Sequence, residues 1–229
     1  MSQQTSGTLY IVPTPIGNLE DITLRALRIL KEVDTIACED TRVTSNLLRH
    51  FELPHKRLIS YFSGNEAGRV PQVVAMLQSG TDVALVSDAG TPGVSDPGTR
   101  LIAAAIAAGV TVVPLPGASA LVVALTASGL PTDSFIFAGF LPHKKGRQTA
   151  LRGLAEEERT IILYESPHRI VKTLGELAEH LGAGRQAVVC RELTKMYEEI
   201  SRGTLEELYQ AYAARAAVKG EIVLVIHGA

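Results

Sequence analysis

The sequence has few cysteines, almost no net charge and no long apolar run. Its two cysteines, Cys38 and Cys190, lie in apolar strand-like stretches without metal-ligand spacing, which favours buried thiols in a reducing cytoplasm over a disulfide. The formal net charge of −2 excludes a global field that would draw the chain onto nucleic acid or an anionic membrane. Neither a secretory signal nor a run of about 18 apolar residues occurs, so we expect a soluble cytoplasmic protein without a membrane partner.

Motifs that mark several enzyme classes are also missing. The chain has neither Gly-x-x-x-x-Gly-Lys-Ser/Thr nor a strand-following Gly-x-Gly-x-x-Gly, which argues against a nucleoside triphosphate site and an ordinary dinucleotide site. Because no Gly-x-Ser-x-Gly occurs, a serine hydrolase is disfavoured. The six histidines are scattered without ligand spacing, so no metal site is predicted.

What the sequence does contain is a regular alternation of short apolar runs with helix-like stretches. With 229 residues, 46% of them hydrophobic, the chain can bury a substantial core. The predicted strands are Leu9–Val12, Val33–Cys38, Leu58–Phe62, Val83–Val86, Val110–Leu115, Phe135–Phe140, Thr160–Tyr164, Gln186–Cys190 and Glu221–His227. Strands that alternate with helices at this spacing predict an α/β fold with right-handed crossovers.

A break at residues 129–132 (GLPT) divides the chain. We therefore predict two α/β domains, an N-terminal one over residues 1–128 and a C-terminal one over residues 132–229. The strand and helix spacing of the first domain predicts a parallel sheet.

The most distinctive stretch is residues 86–98, VSDAGTPGVSDPG. It follows a predicted buried strand and precedes a predicted helix, so it is a loop at the carboxyl end of a strand, where ligands bind in open α/β sheets. Three glycines and two prolines let the main chain approach a ligand closely, and Asp88 and Asp96 add carboxylates. A connection that merely turns the chain is the alternative interpretation.

The other strands of the first half end in equally distinctive loops: TPIGNLED, CEDTR, SGNE and PLPGASA. We expect these loops to share one crevice. Strong nucleophiles are scarce among them, which suits a cofactor that already carries an activated group. Spacing alone does not identify the cofactor among adenosyl compounds.

Eight segments, in this order and spacing, resemble the tetrapyrrole-methylase-like superfamily, and within it the bacterial 16S ribosomal RNA cytidine 2′-O-methyltransferases. The segments are TPIGNLEDIT (14–23), ACEDTR (37–42), VSDAGTPGVSDPG (86–98), PLPGASA (114–120), GFLP (139–142), YESPHR (164–169), CRELTK (190–195) and KGEIVLVI (219–226). The resemblance covers nearly the whole chain from Gly7 onward.

The resemblance implies a C-terminal mixed sheet, a cleft between the two domains that binds S-adenosyl-L-methionine, and a homodimer. It also assigns residues to the cofactor, with those of the last two groups as weaker matches. They are Pro15; Asp88, Ala89, Gly90 and Thr91; Pro116, Gly117, Ala118 and Ser119; Tyr164, Glu165 and Ser166; Cys190 with Arg191; and Gly220 with Glu221.

The implied reaction is attack of a ribose 2′-oxygen of 16S ribosomal RNA, free or in the small ribosomal subunit, on the cofactor's methyl group. A base that removes the hydroxyl proton would assist. The candidates are Glu39, Asp40, Asp21 and Glu66. For Glu39 and Asp40 the alternative is a helix cap that pairs with Arg42.

Six basic residues are the candidates for contact with RNA phosphates. They are Arg42, Lys144, Lys145, Arg147, Arg169 and Arg191. Each of the three arginines outside the Lys144–Arg147 cluster could equally form an ion pair at the domain interface. The near-neutral net charge argues against an RNA substrate. We expect a single basic face around the cleft to compensate for it.

The chain departs from the resembled family in its third loop. Members of that family carry histidines before Asn-Glu, whereas this chain has YFSG at residues 61–64. An imidazole base at that position is therefore not expected. Two other functions stay open: a tetrapyrrole methyltransferase, which would favour a glycine-rich first loop, and a cofactor-binding, ribosome-associated module without catalysis.

Overall fold

The computed structural model of the chain describes residues 6–229, which form two compact units that meet in sequence at Ser119 and Ala120. The first unit contains strands β1 (Thr8–Ile11), β2 (Thr35–Cys38), β3 (Arg57–Ser60), β4 (Val83–Val86) and β5 (Thr111–Pro114). Its helices are α1 (Leu24–Glu32), α2 (Thr41–His50), α3 (Glu66–Gln78) and α4 (Thr99–Ala107).

The first unit is built on a five-stranded parallel sheet with the order β3-β2-β4-β1-β5. Strands β2 and β4, TIAC and VALV, are buried at every position. Continuous apolar runs of this kind form in parallel strands because helices cover both faces of the sheet.

Two hydrophobic clusters occupy the two faces. One contains Ile29 of α1 and Leu48 of α2, and the other contains Leu77 of α3 and Leu101 of α4. The chain therefore leaves β1 and the adjacent β4 toward opposite faces of the sheet. Such a switch point opens a crevice beyond the carboxyl ends of the two strands, and it is the usual ligand site of open α/β sheets.

The second unit is built on a mixed sheet with the order β6-β7-β10-β8-β9. Only β6 and β7 pair in parallel, and the other three pairs are antiparallel. The strands are β6 (Phe135–Phe140), β7 (Thr160–Glu165), β8 (Gln186–Arg191), β9 (Glu199–Thr204) and β10 (Ile222–Ile226). The helices are α5 (Ala120–Ser128), α6 (Arg147–Ala155), α7 (Ile170–Leu181) and α8 (Leu205–Ala213).

Helix α5 lies in the second unit, whereas the sequence analysis assigned it to the first. It contacts strands β7, β9 and β10 of the mixed sheet and buries Ala124, Leu125 and Ser128. The GLPT break follows this helix rather than marking the boundary between the compact units.

Two elements were not predicted from the sequence, because charged residues interrupt the apolar pattern of each. Helix α6 buries Arg147 together with Leu151 and Leu154, so the basic segment at its start resembled a solvated loop. Strand β9, EISRGT, lies at the edge of the sheet, where charged residues are common because they discourage pairing with other chains.

Both cysteines are free and buried, as the sequence predicted. No helix in residues 6–229 is long and apolar enough to cross a lipid bilayer.

Candidate functional site

The loops after β1 and β4 are hydrogen-bonded to each other at the switch point. Thr14 and Gly90 form an isolated antiparallel bridge, in which each N–H donates to the other's carbonyl at 2.9 Å. The hydroxyl of Thr14 also donates to the carbonyl of Ser87 at 3.0 Å. Gly90 has a φ of 81°, which a side chain would strain. Its backbone groups therefore join two loops, which is a structural role for a residue predicted to bind cofactor.

The loop after β5 packs against both of these loops. A Cβ on Gly117 would lie 2.5 Å from Cβ of Pro13, so only glycine permits this close approach. The hydroxyl of Thr91 donates to the carbonyl of Ala118 at 3.0 Å. The loops that contain the predicted residues 88–91 and 116–119 are thus held in contact.

The loop after β2 joins the same cluster through Asp88. The backbone N–H of Asp40 donates to Oδ1 of Asp88 at 3.0 Å. Four of the five loops that the sequence predicted to share a crevice, those after β1, β2, β4 and β5, therefore converge at the carboxyl ends of the parallel strands.

The adjacent carboxylates Glu39 and Asp40 have different environments. Asp40 caps α2 by accepting from the N–H of Arg42 at 2.8 Å, and the guanidinium of Arg42 donates to both of its carboxylate oxygens. These bonds lower the pKa of Asp40 to about 2. The capping role that the sequence left open is therefore the one observed for Asp40, and its low basicity suits it poorly to proton removal.

Glu39 has the opposite electrostatic surroundings. Partial burial, followed by the charges of Asp88, Asp96 and Asp40, raises the pKa of this carboxyl group. A carboxylate with a raised pKa is the better general base near neutral pH.

The remaining acid candidates lie elsewhere. Asp21 ends an exposed 3₁₀ turn (Leu19–Asp21). Glu66 accepts a hydrogen bond from the hydroxyl of Tyr61 at 2.8 Å, and Arg100 lies 3.6 Å from its other oxygen. Burial and the Glu66 carboxylate raise the pKa of Tyr61. Both oxygens of Glu66 thus have structural partners, so it is the weaker candidate.

In the second unit, three predicted cofactor positions lie near one another at the same end of the three central strands. Glu165 at the end of β7 and Arg191 at the end of β8 both pair with Ile222 at the start of β10. Gly220 precedes that strand with a φ of 92°, and a Cβ there would overlap the side chain of Glu192. The antiparallel register therefore gathers residues that are far apart in sequence.

The side chains of two predicted cofactor residues in this unit point to structural roles. Cys190 is fully buried, and burial raises the pKa of its thiol to about 11. The carboxylate of Glu165 is also buried, and it accepts from Thr173 Oγ1, from Arg169 and from the Ser166 N–H, each at 2.6 Å. Only the backbone of either residue could meet a ligand.

Arg147 must be corrected from an RNA contact to a structural residue. Only 4% of this residue is exposed, and its guanidinium donates to Glu176 at 2.6 and 2.8 Å, to Thr173 at 2.8 Å and to the Pro142 carbonyl at 3.1 Å. All of these partners belong to this unit. Four of the five guanidinium N–H groups are used in these bonds, and the burial of the side chain leaves little access for a phosphate.

The other basic candidates differ in availability. Lys144 and Lys145 are exposed, and Arg42 is exposed but paired with Asp40. Arg169 donates to Glu165 and to the Leu141 carbonyl. Arg191 donates to Glu199 and to the Lys219 carbonyl. Each of the three arginines therefore pairs with a carboxylate of its own unit.

Comparison with known proteins identifies the family. The sequence model of the Tetrapyrrole (Corrin/Porphyrin) Methylases matches residues 8–209. The ribosomal RNA small subunit methyltransferase I of Synechocystis sp. is 54% identical over 97% of this chain and 80% of its own length. The protein of that name from Escherichia coli O157:H7 is 48% identical over 99% of this chain and 80% of its own length. The chain belongs to the ribosomal RNA small subunit methyltransferase I family.

Solved structures show that this family shares the tetrapyrrole methylase fold. The methyltransferase CobJ has a TM-score of 0.74 at 22% identity over 98% of this chain and 95% of its own. Uroporphyrin-III-C-methyltransferase from Thermus thermophilus has a TM-score of 0.69 at 22% identity over 96% of this chain and 94% of its own. A structure of uroporphyrin III C-methyltransferase from the same organism is complexed with S-adenyl homocysteine.

One face of α2 has a role that was not recognised from the sequence. A cavity of about 450 Å³, which also borders the loops after β1 and β4, is lined by five residues of this helix: Thr44, and Val43, Asn46, Leu47 and His50. The spacing of the last four, by three, four and seven residues, marks one face of a helix. This spacing can be read from the sequence. It could not be interpreted there, because the sequence does not show which loops face that side of the helix.

Proposed function

We propose that this chain catalyses methylation of the ribose 2′-oxygen of a cytidine in 16S ribosomal RNA, with S-adenosyl-L-methionine as the methyl donor. The observation that carries the proposal is the identity of about half of the aligned residues, over nearly the whole chain, with proteins named ribosomal RNA small subunit methyltransferase I. Similarity to tetrapyrrole methyltransferases is limited to about 22% identity and concerns the fold, so tetrapyrrole methylation is not favoured.

The residues of the first unit suit the proposed donor. In S-adenosyl-L-methionine the methyl group is bonded to a positively charged sulfonium. Transfer of the methyl group leaves a neutral thioether. A carboxylate such as Asp88 can accept hydrogen bonds from hydroxyl or ammonium groups and attracts a positive sulfonium. The exposed backbone of Pro116 and Gly117, held against Pro13, offers further hydrogen-bonding groups beside it. Gly90 supports this arrangement through its bridge to Thr14.

Glu39 is the base that we propose for the reaction. As the 2′-oxygen bonds to the methyl carbon, its proton passes to the Glu39 carboxylate. Burial and the neighbouring carboxylates raise the pKa of Glu39, which suits it to accept a proton near neutral pH, whereas Asp40 is occupied with capping α2. Holding the reacting oxygen in line with the methyl group would supply the rest of the acceleration.

The proposed substrate is 16S ribosomal RNA or the small subunit, and the proposed RNA contacts are Lys144 and Lys145. Both are exposed, and the start of their loop is held by two guanidiniums, since Arg169 donates to the Leu141 carbonyl and Arg147 to the Pro142 carbonyl. A fixed loop loses less conformational entropy when it binds phosphates. We also propose a cytoplasmic homodimer, which sedimentation at several concentrations would test.

The decisive experiment is mass spectrometry of 16S ribosomal RNA from cells that lack this protein. We expect one cytidine to lose 14 mass units, about the mass of a methylene, relative to wild-type cells. Complementation with the wild-type chain should restore the methyl group, and the Glu39→Gln variant should not. Fully methylated RNA in the deletion strain would refute the function.

The role of Asp88 is testable by calorimetry. Because Asp88 is the carboxylate at the centre of the converging loops, Asp88→Ala should weaken S-adenosyl-L-methionine binding by about tenfold or more, the size of one lost charge-assisted hydrogen bond. Asp82→Ala is the matched control. Asp82 lies just before strand β4, Asp88 lies just after it, and Asp82 accepts a hydrogen bond from the N–H of Thr8. Unchanged binding in Asp88→Ala would remove Asp88 from the cofactor site.

A further inference from the structure

A cavity of about 450 Å³ lies beside the switch point and is enclosed by residues of the first unit. Its walls come from the loop after β1, the loop after β4 and one face of α2. The volume falls within the usual range for small-molecule sites, about 300–1,000 Å³. The cavity is therefore large enough for a nucleobase and its sugar.

The lining is apolar at some positions and polar at others. Leu19, Val43 and Leu47 are apolar, and the first two are unusually exposed for such side chains, at 37% and 41%. Asn46 and His50 are the polar residues of the helix face. Apolar faces with a few hydrogen-bonding groups suit a nucleobase, which has two apolar faces and a polar edge.

Two polar side chains have hydrogen-bonding capacity to offer. Asn46 accepts from Arg49 at Oδ1, at 2.9 Å, so its amide nitrogen is the group left to donate. Ser87 is 97% buried, lines the cavity, and its hydroxyl has no hydrogen-bond partner within residues 6–229. A buried hydroxyl without a partner is costly, and a ligand that bonds to it would remove that cost.

The methyl donor is not the best occupant. Of the residues of this unit that the family resemblance assigns to the donor, only Pro15 and Asp88 line the cavity, and residues 89–91 and 116–119 do not. The cavity thus borders the predicted donor loops without including most of them. That is the position expected for the molecule that accepts the methyl group.

We propose that this cavity binds the base of the target nucleotide after it has left its stack, with Asn46 donating to an acceptor on the base edge. The proposal rests on the proposed function, since it names where the RNA substrate of that reaction is held. A base flipped into a pocket is read by hydrogen bonds to its edge and by contacts on its faces. Helix α2 is then the element that selects the nucleotide.

Filling the cavity provides the first test. Val43→Trp places an indole in the cavity, and Ser45→Trp is the matched control because Ser45 lies on the same helix but lines a different cavity of about 590 Å³. For Val43→Trp we expect at least a hundredfold loss of kcat/KM for methylation of small subunits, with the calorimetric Kd for S-adenosyl-L-methionine within twofold of wild type. Ser45→Trp should keep both values.

Three other results would overturn the proposal. Loss of S-adenosyl-L-methionine binding in a folded Val43→Trp protein would assign the cavity to the donor. Unchanged methylation would leave the cavity without a role in the substrate, while the methyltransferase function would stand. Equal loss in Ser45→Trp would trace the effect to α2 as a whole. Failure of the wild-type chain to methylate would instead refute the proposed function.

Asn46→Asp provides a second test that does not depend on packing, because Asn46 is exposed. The substitution keeps the shape but replaces the donating amide with a carboxylate. We expect KM for the small subunit to rise about tenfold, as for loss of one base-edge contact, with kcat nearly unchanged. If KM stays within twofold of wild type, Asn46 does not read the base.

Discussion

Neighbouring carboxylates in this protein acquire different properties from their contacts. Asp40 and Glu39 are adjacent in sequence, but Asp40 receives hydrogen bonds from Arg42, whereas Glu39 is partly buried and lies near three other acidic groups. Hydrogen bonds to a carboxylate stabilise its charged form, and nearby negative charges destabilise it. The pKa values of the two groups therefore move in opposite directions, and only Glu39 is suited to accept a proton.

Replacement of Glu39 should separate activity from stability. Because the pKa of Glu39 is raised, folding favours its protonated form, and this stabilisation is lost as the pH rises through the raised pKa. At pH 8 the ionised group is thus unfavourable, so Glu39→Gln should raise Tm in thermal denaturation. The same variant should lower kcat by about 100- to 10,000-fold if Glu39 is the base.

Asp40→Asn is the control variant, for which we expect a change in Tm of the opposite sign. The pKa of Asp40 is lowered to about 2, so its contribution to stability is present above the unfolded value of 3.8 and is lost as the pH falls through about 2. At pH 8 Asp40→Asn should therefore lower Tm. A Glu39→Gln enzyme with wild-type kcat would exclude Glu39 as the base.

Helices α6 and α7 are joined by a buried polar network. Arg147 at the start of α6 contacts Thr173 and Glu176 of α7, and Thr173 in turn donates to Glu165 at the end of β7. The network is satisfied by partners 26 and 29 residues from Arg147. A buried charge of this kind is tolerated because it is paired and hydrogen-bonded.

Removal of Arg147 should destabilise the protein strongly. Arg147→Ala removes the guanidinium that donates to Glu176 and Thr173, and breaking a buried ion pair costs about 3–5 kcal/mol. Arg152→Ala, on the exposed side of the same helix, should change the free energy of unfolding by less than about 0.5 kcal/mol. Urea denaturation measures both. Similar values for the two variants would contradict the structural role of Arg147.

At the scale of the whole molecule, a net charge of −2 requires that RNA be bound by local cations. Lys144 and Lys145 are the exposed pair that the chain offers next to an anchored segment. Each phosphate contact contributes about 0.7 to the slope of log K against log salt for single-stranded RNA. The size of that slope therefore counts the contacts.

Replacement of both lysines should reduce the salt dependence of RNA binding. For Lys144→Ala with Lys145→Ala we expect the slope to fall by about 1.4, with S-adenosyl-L-methionine affinity unchanged. Arg28→Ala is the control, because Arg28 is an exposed cation of α1 that pairs with Glu32. Filter binding at several salt concentrations measures the slopes. An equal fall in both proteins would show that the two lysines have no special role.

The sequence by itself determined the alternation of strands and helices, the loops at the strand ends and the family, because each is written in local composition and spacing. The carboxylate pair at residues 39–40 and the loop at residues 88–91 were recognised in this way. The cavity beside α2 was not, since its walls come from segments more than 20 residues apart.

Only the tertiary structure decided which polar groups of the side chains and backbone remain available for chemistry. Arg147, Glu165 and Gly90 all looked like ligand contacts, but each is bonded to a residue that its neighbours in sequence do not reveal. A polar group that becomes buried must find a partner, and folding supplies that partner from distant positions. Local pattern therefore predicts where a site lies, and long-range contacts decide which of its residues can act.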